Sequence, residues 1–292
     1  MTTEELAYLG IEKLKMRFQN KINPEEYFLA YSGGLDSHLL YWFLKEVLHD
    51  NSIKIVSVNT YREHNEIRAR MYRYADVILY PTMKMREIKE KYGIPCFTKF
   101  QDDYIHRYQK GSRTPHTMSC IYGIGTTKFK LNNTAKTKLL DGSLHKVSDK
   151  CCKYTKKEPV RRYEKNTGLK PIIAVRGAES ILRKNAYRTC LDPKGRFTPL
   201  YDFSDEMVNA IYEIYSIEKP KVYEVLNRTG CIGCPYGRNI LKELSIVTPA
   251  QRKYAIDSFG ESYSALGVNI NNIKNGNPTL TEVIEKRRMQ DV

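Results

Sequence analysis

The stretch from Tyr27 to Leu44, YFLAYSGGLDSHLLYWFL, limits what this chain can fold into more than any other. An apolar run from Tyr27 to Tyr31 stops at Ser32-Gly33-Gly34-Leu35-Asp36-Ser37, and an apolar stripe at Leu39, Leu40, Phe43, Leu44 and Val47 follows. The first pattern suits a buried strand and the second an amphipathic helix, so the segment predicts strand, tight glycine turn, helix. Adjacent glycines let a backbone come close to a ligand, and Ser37 suits the first helical turn. Unpaired N–H groups and the positive dipole end at a helix start favour an anion, above all a phosphate. The blander reading is a strand–helix turn whose glycines only relieve strain. No lysine follows at the spacing of G-x-x-x-x-G-K-[ST], so this is a different kind of phosphate loop.

The flanking segments read as alternating helices and strands. Thr3 to Asn20 predicts an amphipathic helix with Thr3 as its cap. Ile53 to Asn59 predicts a second strand, Glu66 to Tyr74 a helix, Val77 to Tyr80 a third strand, and Thr82 to Tyr92 a helix closed by Gly93. Parallel strands joined by helices bind ligands at their carboxyl ends, which puts Thr60, Glu63 and His64 at that edge. The other histidines are expected as ordinary surface or core residues. Phe97 to Lys150 carries no clear periodicity and reads as a long loop or insertion; Cys96, just before it, and Cys120 within it are expected as buried thiols. Pro171 to Val175 predicts a further strand. Ser204 is placed as the cap of a helix with Met207, Ile211 and Ile214 on one face, and Thr281 to Arg288 as a last helix.

Two tight cysteine pairs stand apart from the rest. Cys151 and Cys152 are adjacent, and Cys231-Ile232-Gly233-Cys234 is a CxxC. Four thiolates from two loci can close a tetrahedral or a cubane metal site. Zinc usually takes pairs spaced by two to four residues, so the adjacent pair argues against it, although zinc stays an alternative.

Together these residues carry a family resemblance. Ser32 to Ser37 resembles the PP-loop of the ATP-pyrophosphatase superfamily, and Cys151-Cys152 with Cys231/Cys234 resembles the CC…CxxC pattern of its phosphoadenosine phosphosulfate (PAPS/APS) reductase-like branch. Arg176-Gly177-Ala178-Glu179-Ser180 and Arg183 resemble the G-x-R-x-x-E-S-x-x-R motif of that branch, with Ala174 where the family has glycine. Pro199 to Glu206 and Thr229 to Pro235 are also similar to family segments. The resemblance implies an α/β, doubly wound, mostly parallel sheet of the adenine nucleotide alpha hydrolase-like kind, with a cysteine-bearing C-terminal half. It implies a site for ATP or PAPS/APS on Ser32, Gly33, Gly34, Asp36, Ser37, Thr60, Arg176, Glu179 and Arg183, with Asp36, Arg176 and Arg183 in catalysis and Mg2+ beside Asp36. It further implies a 4Fe-4S cluster on Cys151, Cys152, Cys231 and Cys234. The reductases also carry a C-terminal nucleophilic cysteine, and no cysteine follows Cys234 here. The expected activity is therefore ATP-dependent adenylation coupled to sulfur transfer, of the transferase or ligase type. The alternatives are a sulfonucleotide reductase using an external thiol and a non-catalytic nucleotide-binding redox sensor.

Charge and composition bear on partners. The formal net charge is +15. Between residues 125 and 165, twelve lysines and arginines face four acids, which makes tRNA or DNA a candidate partner beside the adenine nucleotide. A solvated lysine-rich surface explains the same charge equally well. A sulfur donor or thioredoxin-like reductant is the remaining expected partner. No apolar run of about 18 residues predicts a membrane span, and no apolar leader is visible, so a cytoplasmic protein without a membrane partner is expected. The expected organisation is a helix over 1–22, a PP-loop domain over 23–237 with a basic insertion near 97–150, and a helical tail over 238–292.

Overall fold

The computed structural model describes residues 1–125 and 130–273. Its strands are β1 (Tyr27–Ala30), β2 (Lys54–Val58), β3 (Val77–Leu79) and β4 (Lys170–Ile173). The helices of the first half are α1 (Thr3–Lys21), α2 (Leu35–Trp42), α3 (Asn65–Tyr74), α4 (Met85–Tyr92), α5 (Lys99–Gln109), α6 (Pro115–Tyr122) and α7 (Asn133–Leu140). Those of the second half are α8 (Glu158–Thr167), α9 (Ile181–Ala186), α10 (Asp205–Ile214), α11 (Val222–Val225), α12 (Ile240–Ile246) and α13 (Pro249–Leu266). The expected helix over Thr281 to Arg288 lies outside the described residues.

The chain forms two compact units, each assembled from separate stretches. The first comprises Met1–Asn59, Asn65–Tyr80 and Pro159–Tyr223; the second comprises Thr60–His64, Pro81–Glu158 and Glu224–Val292. The first unit holds a four-stranded, all-parallel sheet in the order β3-β2-β1-β4. The α/β class is thus observed. Strand β1 is buried along Tyr27, Phe28 and Leu29, as a strand covered on both faces must be. Leu39 and Leu40 of α2 and Phe43 after it, with Phe197, Phe203 and Ile211, are among the other fully buried apolar residues.

Strand order decides where a ligand can sit. β2 and β3 lie on one side of β1 and β4 on the other, so the connections leaving β1 and β4 part at the sheet's switch point. In open parallel sheets the crevice for a ligand opens there, at the carboxyl ends of the strands. The glycine turn follows β1 and Arg176 follows β4.

Local expectations are corrected in several places. Thr2, not Thr3, caps α1: its side chain accepts from the Glu5 amide and Glu5 answers on the Thr2 amide. The helix expected from Thr82 begins at Met85, because Thr82 is drawn to the Tyr154 carbonyl by both its amide and its hydroxyl. The strand expected over Pro171 to Val175 runs Lys170–Ile173.

The second unit is built from helices around two apolar clusters. One gathers Met85, Ile88, Ile94, Cys151, Ile232, Leu244 and Phe259; the other gathers Cys96, Ile105, Ile121, Ala135, Leu139 and Val147. The stretch expected as a long loop is mostly helical, in α5, α6 and α7. Cys96 and Cys120 are fully buried, as expected.

Candidate nucleotide and cysteine sites

In the first unit the turn after β1 is fixed by its own hydroxyls. Ser37, buried at the start of α2, donates from Oγ to the Gly34 carbonyl at 3.1 Å and accepts from the Ser32 amide at 3.2 Å. The Ser32 and Ser37 hydroxyls meet at 3.0 Å. Gly33 has φ +75°, and a Cβ there would stand 2.8 Å from the Ile67 carbonyl oxygen, so the first glycine serves both conformation and packing against α3. Gly34 caps α2 at φ −76° and ψ 170°, angles open to any residue. The Leu35 peptide is held on both sides: its carbonyl accepts from Tyr212 Oη at 2.8 Å, and its amide donates to Tyr223 Oη at 3.3 Å.

Across the switch point stands Arg176, which is 8% exposed. Its Nε donates to Asp36 Oδ1 at 2.8 Å, and its Nη1 lies 2.7 Å from Asp205 Oδ1. The Nη1 contact is one of charge alone, since this buried atom has no aligned hydrogen bond. The Arg176 amide donates to Glu179 Oε1 at 3.3 Å, and Glu179 pairs with Arg183 one helical turn on. The structure therefore brings Ser32, Gly33, Gly34, Asp36, Ser37, Arg176, Glu179 and Arg183 into one unit. Asp205 escaped the sequence reading, which took Ser204 as a helix cap within the family-like segment Pro199 to Glu206 and gave Asp205 no role; Tyr212 and Tyr223 carry no local mark at all.

Thr60 belongs to the second unit, with the cysteines. Its hydroxyl donates to Glu63 Oε1 at 2.5 Å and lies 3.9 Å from Cys231 Sγ. His64, expected at the nucleotide edge, is buried in this unit with Nε2 3.1 Å from Glu243 Oε1. Glu243 also accepts from the Gly233 amide at 2.9 Å. Gly233, at φ +66°, makes the CxxC turn, its carbonyl accepts from Tyr263, and the Ile232 amide donates to the Arg62 carbonyl at 2.8 Å.

Four thiols share this neighbourhood with two cations. Arg62, 2% exposed, donates from Nη2 to Cys151 Sγ at 3.3 Å, and Lys156 hydrogen-bonds Cys231. Burial pushes the Cys231 thiol up, but Lys156 and Arg62 together outweigh it and leave the thiol below its ordinary value. Burial dominates at the other two shifted thiols: Cys151 rises despite Arg62, and Cys234 is pushed up to about 12 with help from the neighbouring Cys231. Among the described residues no three His, Cys, Asp or Glu side chains converge as a ligand set for one metal ion. Four thiols are donors of the kind that hold zinc or an iron–sulfur cluster, and the two cations beside them would offset thiolate charge.

The basic stretch over 125–165 is divided between the units, with the residues from 159 onward in the first. Part of its charge is engaged internally: Lys138 on the Ala265 carbonyl, Lys146 on the Glu90 carbonyl, and Lys150 on Asp103 and Asp149. No helix among the described residues is long and apolar enough to cross a membrane.

No protein-family model and no curated protein matches the chain. Solved structures do. The phosphoadenylyl-sulfate (PAPS) reductase of Candida auris, a phosphate complex, shares 11% identity over 79% of this chain and 96% of its own, with a TM-score of 0.40. The NH3-dependent NAD synthetase of Campylobacter jejuni, in complex with the nitrate ion, shares 13% identity over 91% of this chain and 96% of its own, with a TM-score of 0.36. Likeness at these values assigns neither substrate nor reaction. What stands on the chain's own geometry is an α/β protein whose glycine turn and buried arginine meet at the switch point of a parallel sheet.

Proposed function

We propose that the chain is a PP-loop enzyme that binds an adenine nucleotide at the turn after β1 and adenylates an acceptor that then receives sulfur. One observation carries the reading: a buried guanidinium, held through Nε by Asp36 at the carboxyl ends of β1 and β4, has an unaligned Nη1 donor 2.7 Å from Asp205 at the start of α10. Arginine recognises phosphate through paired donors, and Asp205, with its side chain 69% exposed, can yield to a phosphate oxygen at little cost. The Gly33, Gly34 and Asp36 amides and the Ser32 and Ser37 hydroxyls would line the pyrophosphate, with Asp36 and Mg2+ beside it. An acceptor oxygen attacks the α-phosphorus, the α–β anhydride breaks, and pyrophosphate leaves; a sulfide-level donor then displaces AMP. Arg176 and Arg183 would offset the charge growing on the leaving group.

Cys151, Cys152, Cys231 and Cys234 would hold a 4Fe-4S cluster, with Arg62 and Lys156 balancing its negative charge; when bound, it supplies electron or sulfur relay. The acceptor is a nucleic acid or a small molecule. AMP formed from ATP by anaerobically purified protein, in the presence of pooled RNA or DNA, is the expected result. Sulfite released from APS or PAPS with thioredoxin would move the assignment to sulfonucleotide reduction. ATP bound without turnover, with affinity that follows cysteine oxidation, would make the protein a sensor.

A further inference from the structure

The second unit carries a surface on which lysines and arginines lie over tyrosine rings. Tyr92 and Tyr154 stack with centroids 5.1 Å apart and planes 17° from parallel. Lys91 and Lys110 lie 5.4 and 5.7 Å from the Tyr92 centroid, and Lys153 lies 5.0 Å from that of Tyr154. The turn after α5 joins this pair to a second. Lys110 reaches back to Tyr92, while Arg113 sits 3.7 Å over Tyr108, which is hydrogen-bonded to Tyr122; Lys136 lies 5.3 Å from the Tyr122 centroid.

Charge balance sets this patch apart. Lys91, Lys110, Arg113, Lys136 and Lys153 have no carboxylate partner among the described residues, whereas nearby Arg107 and Lys150 are paired with Asp103. Arg113 donates to the Tyr108 and Ser112 carbonyls and Lys136 to that of Tyr122, which holds these charges in place without neutralising them. Cations without a carboxylate beside half-exposed rings make a poor interior and a good strand-binding surface. Phosphates can take the cations and bases can take the ring faces.

We propose that this surface, gathered around the turn between α5 and α6, binds single-stranded nucleic acid. Duplexes hide their base faces and offer the rings nothing, so single strands are the better fit. The surface deepens the functional reading above, on which its catalytic meaning rests, but it uses different residues from those of the nucleotide loop.

The test is fluorescence anisotropy with a labelled oligonucleotide of about 15 nucleotides, as single strand and as duplex, over a salt series. The single strand should bind more tightly than the duplex. Lys110→Glu/Arg113→Glu should weaken it at least about tenfold and flatten the salt dependence. Tyr122→Ala, at an exposed ring, should weaken it about five- to hundredfold with the salt slope unchanged. Lys54→Glu/Lys194→Glu, an equal charge change at exposed positions of the first unit, should bind like the wild type. Equal loss in that control, a preference for duplex, or equally tight binding of poly-glutamate would overturn the proposal; the last would mark an acidic-protein surface. ATP binding is unchanged in these variants, so failure of the surface and failure of the nucleotide site are read separately.

Discussion

At the scale of single residues, two positions show how closely chemistry and backbone are tied. Gly33 combines a left-handed φ of +75° with a 2.8 Å approach to the Ile67 carbonyl, and an alanine would be strained on both counts. Gly33→Ala should lose about 2 kcal/mol of stability in urea denaturation, and a loss below about 0.5 kcal/mol would contradict the packing described. Asp102 is fully buried, and its carboxylate accepts from the Cys96 and Phe97 amides and from Tyr236, two residues beyond Cys234. Burial raises its pKa from 3.8 to about 6 against the pull of those three donors. The folded state then holds a proton that the unfolded chain has lost, so its contribution to stability is full below about pH 4 and disappears as pH climbs through about 6. Wild type should lose about 2 to 3 kcal/mol across that window relative to Asp102→Asn, measured as the difference between their urea-unfolding free energies.

At the scale of elements, α2 is anchored by long-range tyrosines as well as by its own turn. Tyr212, almost fully buried on α10, spends its hydroxyl on the Leu35 carbonyl. Tyr212→Phe should cost about 1 to 2 kcal/mol, read from chemical denaturation, because a half-buried carbonyl loses its donor. This anchoring was not legible in the sequence, where Tyr212 stands beside the stripe of Met207, Ile211 and Ile214 with no local mark of its own. The strand–turn–helix around Ser32 to Ser37 was legible, because a period change and two glycines mark it locally. The helices between Lys99 and Leu140 were missed for a physical reason: they are short and polar, and their signals are caps, not periodicity. Thr98, Thr114 followed by Pro115, and Asn132 each cap a helix through a side-chain oxygen, and Gly123 closes one at φ 71°. Reading those caps would have found them. Arg62 was equally silent, since nothing in Thr60-Tyr61-Arg62-Glu63 announces a buried cation that faces a thiol 89 residues later.

At the scale of the whole molecule, chemistry divides with the chain. The glycine turn after β1 and Arg176 lie in the first unit; the four cysteines, Arg62 and Lys156 lie in the second, and no local sequence mark shows where the chain passes from one to the other. Protein prepared without air should be brown and contain iron, and Cys151→Ser/Cys231→Ser should lose both the colour and the metal; a colourless wild type would remove the cluster from the proposal. The turn after β1 is proposed above to bind the phosphates of an adenine nucleotide. Gly34 offers the most direct test, because its backbone angles suit any residue and aspartate is a favourable helix cap. Gly34→Asp should therefore unfold at the same denaturant concentration as wild type or higher, while its carboxylate fills the anion position with like charge. Calorimetric titration with Mg-ATP should show binding in the micromolar range for wild type and a loss of at least about thirtyfold in Gly34→Asp. Equal affinity in the two proteins, or no ATP binding by the wild type, would contradict the account.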